Sequence, residues 1–289
     1  MNTNILNEIK SRMSDMSKGQ RRIAEYILNH YEKAAFMTAA KLGRQAGVSE
    51  STVVRFAIEL GFEGYPELMR AVQDTVRSKL TSVQRIEVTN ERLGDSSPLE
   101  KTLLSDIANI RATIEENNPD DFAATVDEII EAKNIYIAGV RLSSYMAQIL
   151  AYNLSLVFDN VKCVNTESED SIYEQMLRIG EGDVLIAITF PRYSRRIVKA
   201  VAFAAAQGAK VIGITDGVSS PIASRSDRLL FAKSDMASYM DSLVAPLSLI
   251  NAIIVAIGRK KQDELSDTLL KLERIWDEYH LYEKDTDND

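Results

Sequence analysis

Hydrophobic positions along this chain follow two rhythms, and the change between them divides it. In the first 80 residues apolar side chains recur every three or four positions, as at Ile23, Tyr26 and Ile27. A helix advancing about 100° per residue gathers such positions on one face. Helices are therefore expected over residues 4–15, 18–31, 38–46, 49–60 and 67–80. Residues 81–98 are polar, with Gly94-Asp-Ser-Ser-Pro98 marking a turn, and are expected to be a linker. From residue 99 short Val/Ile/Leu runs, at 134–138, 161–164, 183–189, 210–215 and 228–231, alternate with helical stretches at 99–116, 120–132, 143–157, 168–179, 194–207, 221–226, 242–257 and 262–282. Near-continuous apolar strands separated by helices imply a parallel sheet covered on both faces. The expectation is an all-α domain over 1–80, a linker over 81–98, and an α/β domain over 99–284 with a parallel sheet flanked by helices.

Within the helical part, residues 38–62 read as two short helices joined by a tight turn at Gly47-Val48. Ser49 is placed to cap the second helix, and Thr38 the first. On the second helix Val53, Phe56, Ala57 and Leu60 share one face, while Ser51, Thr52, Arg55 and Glu59 share the other. One side buries in a small domain; the other offers short donors and a guanidinium, as a helix needs to read base edges in a major groove. This helix-turn-helix pattern makes Thr38, Lys41, Ser49, Glu50, Ser51, Thr52 and Arg55 the candidate DNA-contacting set. A free Glu50 carboxylate either accepts from cytosine N4 or complements the helix dipole.

Charge qualifies that reading. The net charge is −8, which opposes a nucleic-acid partner, but residues 1–80 balance at +3 and the remaining 209 at −11. Lys18, Arg21, Arg22, Lys41, Arg44 and Arg55 sit in the positive part, where phosphates supply most non-specific affinity. The one cysteine, Cys163, cannot close an internal disulfide and fits a reducing, cytoplasmic setting. Its place in an apolar run predicts a buried, inert thiol. No secretory signal or membrane span is read, and no Cys/His cluster or phosphate-binding loop implies a metal or nucleotide cofactor.

Ligands of open parallel sheets bind beyond the carboxyl ends of the strands. Three such ends are rich in hydroxyls: Gly139-Val-Arg-Leu-Ser-Ser144, Thr189-Phe-Pro-Arg-Tyr-Ser194 and Thr215-Asp-Gly-Val-Ser-Ser-Pro221. Backbone N–H groups at the helix starts favour an anion, though each serine taken alone is equally a plain cap. The Leu265, Leu269, Leu272, Ile275, Trp276 and Tyr279 stripe is expected to pack or dimerise, and residues 284–289 to form a disordered tail.

Both halves, in this order, resemble the RpiR/MurR-type bacterial transcription regulators. The marks are Val48-Ser-Glu-Ser-Thr-Val-Val-Arg-Phe56, Leu60-Gly-Phe-Glu-Gly-Tyr65, Asp183-Val-Leu-Ile-Ala-Ile188 and Ser220-Pro-Ile-Ala223 with Asp227. The resemblance implies a sugar isomerase (SIS) domain binding a phosphosugar, a homodimer or homotetramer, and affinity for a double-stranded DNA operator that responds to a small anionic metabolite. Such domains usually show Gly-x-Gly-x-Ser at the first loop and Ser-x-Ser-Gly-x-Thr at the second. Here Arg141 replaces the second glycine, and Thr189, Pro191, Arg192 and Ser194 occupy the second motif. Arg141, Ser143, Ser144, Thr189, Arg192, Tyr193 and Ser194 are the candidate ligand set, with both arginines taking over part of the anion recognition. The alternative is that both point outward or pair with carboxylates, and the pocket no longer binds a sugar phosphate.

Two rivals stay in view. A sugar-phosphate isomerase needs an acid or base at the substrate carbons, for which His30 and His280 are badly placed and Glu167 and Glu169 follow the second strand. A scaffold that only oligomerises needs neither DNA nor ligand.

Overall fold

The computed structural model describes residues 5–77, 80–93, 97–165, 168–236 and 238–282. The chain divides into two compact units: one runs up to Ile107 and takes in Asp235–Ser242, the other comprises Ala108–Ser234 and the chain from Leu243.

The first unit is helical: α1 (Ile5–Arg12), α2 (Lys18–Asn29), α3 (Tyr31–Ala34), α4 (Ala39–Ala46), α5 (Glu50–Glu59), α6 (Tyr65–Arg77) and α7 (Ser82–Leu93). Ser17 and Gln20 form a capping box at the start of α2, each side chain meeting the other's backbone N–H. Ile9, Ile23, Ile27, Leu42, Val53, Phe56 and Leu68 are all sealed in one core, each contributing roughly 1.5–3 kcal/mol of burial. The Tyr65 hydroxyl donates to the Met37 carbonyl at 2.7 Å, and burial pushes the phenol well above its usual range.

The turn between α4 and α5 depends on two glycines. Gly47 ends α4 at φ 66°, ψ 40°, a left-handed cap that a Cβ disfavours. The Val48 N–H then donates back to the Gly43 carbonyl at 2.8 Å. At Gly43 a Cβ would lie 2.9 Å from the Val48 carbonyl oxygen, a backbone atom that cannot swing aside.

Two expectations about this half change. The stretch expected as linker is helical over Ser82–Leu93, because its stabilising partner is remote: Arg85 is 2% exposed and pairs with Asp241. The boundary between the units falls after Ile107, inside α8 (Pro98–Glu116), rather than at residue 98. Gly94, Asp95 and Ser96 of the expected turn lie outside the described residues, as do residues 284–289 of the expected tail.

The second unit follows with α9 (Pro119–Glu131), β1 (Ile135–Gly139), α10 (Leu142–Ser155), β2 (Val161–Val164), α11 (Glu169–Gln175), β3 (Val184–Ile188), α12 (Arg195–Ala206), β4 (Lys210–Thr215), β5 (Arg228–Phe231), α13 (Val244–Lys260) and α14 (Gln262–Glu278). All strand pairs are parallel, in the order β2-β1-β3-β4-β5, with Ile135 level with Val184 and Val184 level with Lys210. Alternation decides which side each residue serves. Ile135, Ile137, Ile186, Ile188, Ile212 and Ile214 pack with α10 and α13 residues on one face. Tyr136, Ala138, Leu185, Ala187 and Val211 pack with α11 and α12 residues on the other. Residues 221–226, expected as a helix, make only a 3₁₀ turn at Ala223–Arg225.

Cys163 is a correction: it is exposed, not buried. Strand order places β2 at the edge of the sheet, so this apolar run is covered less than its composition implies. Partial desolvation still raises the thiol's pKa, which disfavours the reactive thiolate. Among the described residues no helix is long and apolar enough to cross a membrane.

Gly43→Ala is expected to lose about 1–3 kcal/mol of stability in denaturant unfolding, as overpacking does. Gly217→Ala, where an added Cβ meets nothing within 4 Å, should stay within about 0.5 kcal/mol of the parent.

Candidate functional sites

The outward face of α5 carries the residues picked out in the sequence. Ser49, Glu50, Ser51 and Arg55 are exposed and Thr52 is half-buried, while Val53, Phe56 and Ala57 are sealed beneath them. The Ser49 hydroxyl caps the helix by accepting from the Thr52 N–H at 3.3 Å, and it lies 2.9 Å from the Ser51 hydroxyl and 2.8 Å from that of Thr52. Arg55 lies along the helix, its Nε donating to the Ser51 carbonyl at 3.4 Å. Glu50 is in the first turn, where its charge complements the helix dipole. Thr38 caps α4 by accepting from the Lys41 N–H at 3.2 Å, and both residues are exposed. Lys18, Arg21, Arg22 and Arg44 are exposed in the same unit, and Arg22 donates to the Gly47 carbonyl at 3.4 Å. The arrangement pairs a rigid row of hydroxyls and a guanidinium with surrounding cations.

The second site lies at the carboxyl ends of the strands. With strand order 2-1-3-4-5 the chain reverses direction across the sheet between β1 and β3, and a crevice opens at such a point. The loops after these two strands carry Arg141 at φ 59°, ψ −124° and Arg192 at φ 65°. Both are exposed, and both hold a left-handed backbone that costs a non-glycine residue about 1–3 kcal/mol. The loops thus keep a glycine-like path while adding two positive charges. Before the first of them, a Cβ on Gly139 would sit 2.2 Å from the Ser143 carbonyl, so only glycine lets α10 start this close to β1.

The remaining predicted residues divide by environment. Ser143 is buried, and Ser144 donates its hydroxyl to the Arg141 carbonyl at 2.6 Å. Thr189 is buried and gives its N–H to the Ile214 carbonyl. Ser194 caps α12, accepting from the Arg196 N–H at 3.3 Å. The Tyr193 hydroxyl donates to Asp216 Oδ1 at 2.9 Å, tying the loop after β3 to the loop after β4. Asp216 also accepts from the Thr215 hydroxyl at 3.2 Å, and its carbonyl accepts from Lys233 Nζ at 3.3 Å. Asp216 and Lys233 were missed as site-organising residues. The signal for Asp216 was its place inside the third hydroxyl-rich turn; nothing local marked Lys233. Ser220, in that same turn, has a buried hydroxyl with no hydrogen-bond partner.

The groups considered for isomerase chemistry lie elsewhere. Glu169 pairs with Lys199 at 2.5 Å, which raises the Lys199 pKa. His30 stacks against Tyr26 at the end of α2, and His280 is exposed beyond α14. Glu167 lies outside the described residues.

Comparison with known proteins agrees with this division. Residues 3–79 match the helix-turn-helix domain of the rpiR family, and residues 128–256 match the SIS domain. HexR, an HTH-type transcriptional regulator of Pseudomonas aeruginosa, is 25% identical over 269 residues, covering 89% of this chain and 90% of its own. The fold matches the sugar isomerase domain of an RpiR transcription factor from Sphaerobacter thermophilus with a TM-score of 0.57 and 24% identity, over 60% of this chain and 97% of that one. It matches Vibrio vulnificus NanR, solved in complex with ManNAc-6P, with a TM-score of 0.58 and 22% identity, over 97% of this chain and 100% of that one. With an rpiR-type helix-turn-helix unit followed by a SIS domain, and a relative of nearly the same extent named as a transcriptional regulator, the chain belongs to the RpiR-type helix-turn-helix transcription regulators.

Proposed function

We propose that the chain binds an operator through α5 and that a phosphosugar at the ends of β1 and β3 sets the affinity of that binding. The observation that carries the first part is the exposure of Ser49, Ser51 and Arg55 above a sealed Val53-Phe56-Ala57 face. Short hydroxyls held by a cap spend little entropy on contact, and Arg55 brings the bidentate donor suited to guanine. Thr38, Lys41 and the other exposed cations of the unit supply phosphate contacts.

For the second part, Arg141 and Arg192 in their strained loops favour an anionic ligand through charge-assisted hydrogen bonds. Ser143, Ser144, Thr189, Tyr193 and Ser194 line the same loops. ManNAc-6P in the NanR structure makes a hexosamine phosphate the first compound to test. Chemistry at the strand ends is disfavoured: neither histidine belongs to those loops, and Glu169 is committed to Lys199. The chain is therefore read as a sensor, not an isomerase.

Self-association would pair two such heads on a two-fold symmetric operator. In α14 no residue is buried, yet Leu265, Leu269, Leu272, Trp276 and Tyr279 recur at alternating four- and three-residue spacing. That is the spacing of a helix seam, and the partner it fits is a second copy of the chain.

Three outcomes test this reading. Arg55→Ala should weaken specific operator binding by about 1–3 kcal/mol; unchanged affinity and sequence preference in a footprint titration would overturn the groove assignment. Arg192→Ala should weaken ManNAc-6P binding by roughly 1.5–3 kcal/mol, the range for a charged hydrogen bond, measured by calorimetric titration. Leu269→Glu combined with Leu272→Glu should lower the sedimenting mass of the chain.

A further inference from the structure

The connection from β5 to α13 is shared between the two units. Its first residues belong to the α/β unit, where the Lys233 N–H donates to the Thr113 hydroxyl at 2.9 Å and Lys233 Nζ pairs with Glu116 and donates to the Asp216 carbonyl. The next eight residues, Asp235–Ser242, belong by packing to the helical unit. They turn back on themselves: Met236 and Asp241 form an antiparallel bridge, and the Ser242 N–H donates to the Asp235 carbonyl at 3.2 Å. Three anchors hold the hairpin there. Met236 is 4% exposed within the helical core. Asp241 pairs at 3.0 Å with Arg85 of α7, whose side chain is 2% exposed. The Ser242 hydroxyl donates to Asp106 Oδ1 at 2.5 Å.

A continuous run of contacts therefore leads from the ligand loops to this hairpin. Tyr193 donates to Asp216, Asp216 accepts from Lys233, and Lys233 stands two residues before the hairpin begins. We propose that Asp235–Ser242 is a coupling strap, through which occupancy of the strand ends changes operator affinity. The proposal rests on the regulator reading above. An anion recruiting Arg192 or the Tyr193 hydroxyl competes with the Tyr193–Asp216 bond and shifts Lys233, and with it the strap. Arg85 is sealed, so giving up the Asp241 pair is unfavourable, and the strap is either docked or released as a whole. A ligand favouring one of these states then shifts their populations.

The test is an operator titration on the full chain, with and without ManNAc-6P, for the parent, Asp241→Asn and Met236→Ser. In the parent the sugar phosphate should change operator affinity by at least about fivefold, within the usual range of such couplings. Either substitution should bring that ratio close to one, with the sugar still bound and sugar-free operator affinity shifted toward the parent's sugar-bound value, each measured separately. A variant that binds both partners and keeps the parent's ratio overturns the strap. A parent that binds neither operator nor sugar overturns the regulator reading instead.

If a variant loses its fold, denaturant unfolding of the parent decides. Trp276, the single tryptophan, lies in α14 of the α/β unit, and its fluorescence follows that unit, whereas far-UV circular dichroism follows helices of both. Units tied by a docked strap unfold together, with coincident transitions; separate transitions in the parent overturn the proposal.

Discussion

A parallel sheet cannot leave either face in water, and that requirement arranges the α/β half of this protein. The central strands bury both their odd and their even side chains, and the connections β1–β2, β2–β3 and β3–β4 each carry a helix back across one face or the other. Chain direction across the sheet reverses once, between β1 and β3, and the helices leave from there to opposite faces. The loops at that reversal are those carrying Arg141 and Arg192. Site position thus follows from covering the sheet, while site chemistry follows from what the two loops contain. Gly139 lets α10 begin against the strand end, and the two arginines then place charge on a backbone path suited to glycine.

The helical half solves a different problem, which is presenting one helix rigidly from a small body. Gly43 and Gly47 bring α4 and α5 together through a turn with almost no spare space. Val53 and Phe56 lock α5 from below, and Ser49 fixes its first turn from above. The hydroxyls and guanidinium on the outer side are therefore positioned by packing rather than by contacts of their own.

Local pattern revealed most of this. The turn at Gly47-Val48, the cap at Ser49 and the strands at Val161–Val164, Lys210–Thr215 and Arg228–Phe231 stand where periodicity and turn chemistry place them. What escaped depends on partners far along the chain. The helix at Ser82–Leu93 is polar and reads as linker because Asp241, which pairs with Arg85, lies 156 positions away. Exposure of Cys163 depends on strand order, which its own neighbours do not encode. The backbone conformation of Arg141 and Arg192 was equally hidden, since only a missing glycine hinted at it. Of the ligand loops, composition marked the hydroxyls, but the Tyr193–Asp216–Lys233 contacts emerge only once three strand ends are side by side.

The exposed position of β2 has a consequence for how molecules of this protein meet. An open strand edge is a template for stacking one sheet onto another, the route by which β-rich proteins clump. Here that edge is four residues long, and its Lys162 ammonium is drawn over the ring of Tyr136, 4.6 Å from the centroid, with a hydrogen bond to the phenol oxygen. A short border guarded by a cation discourages sheet extension from this side of the molecule.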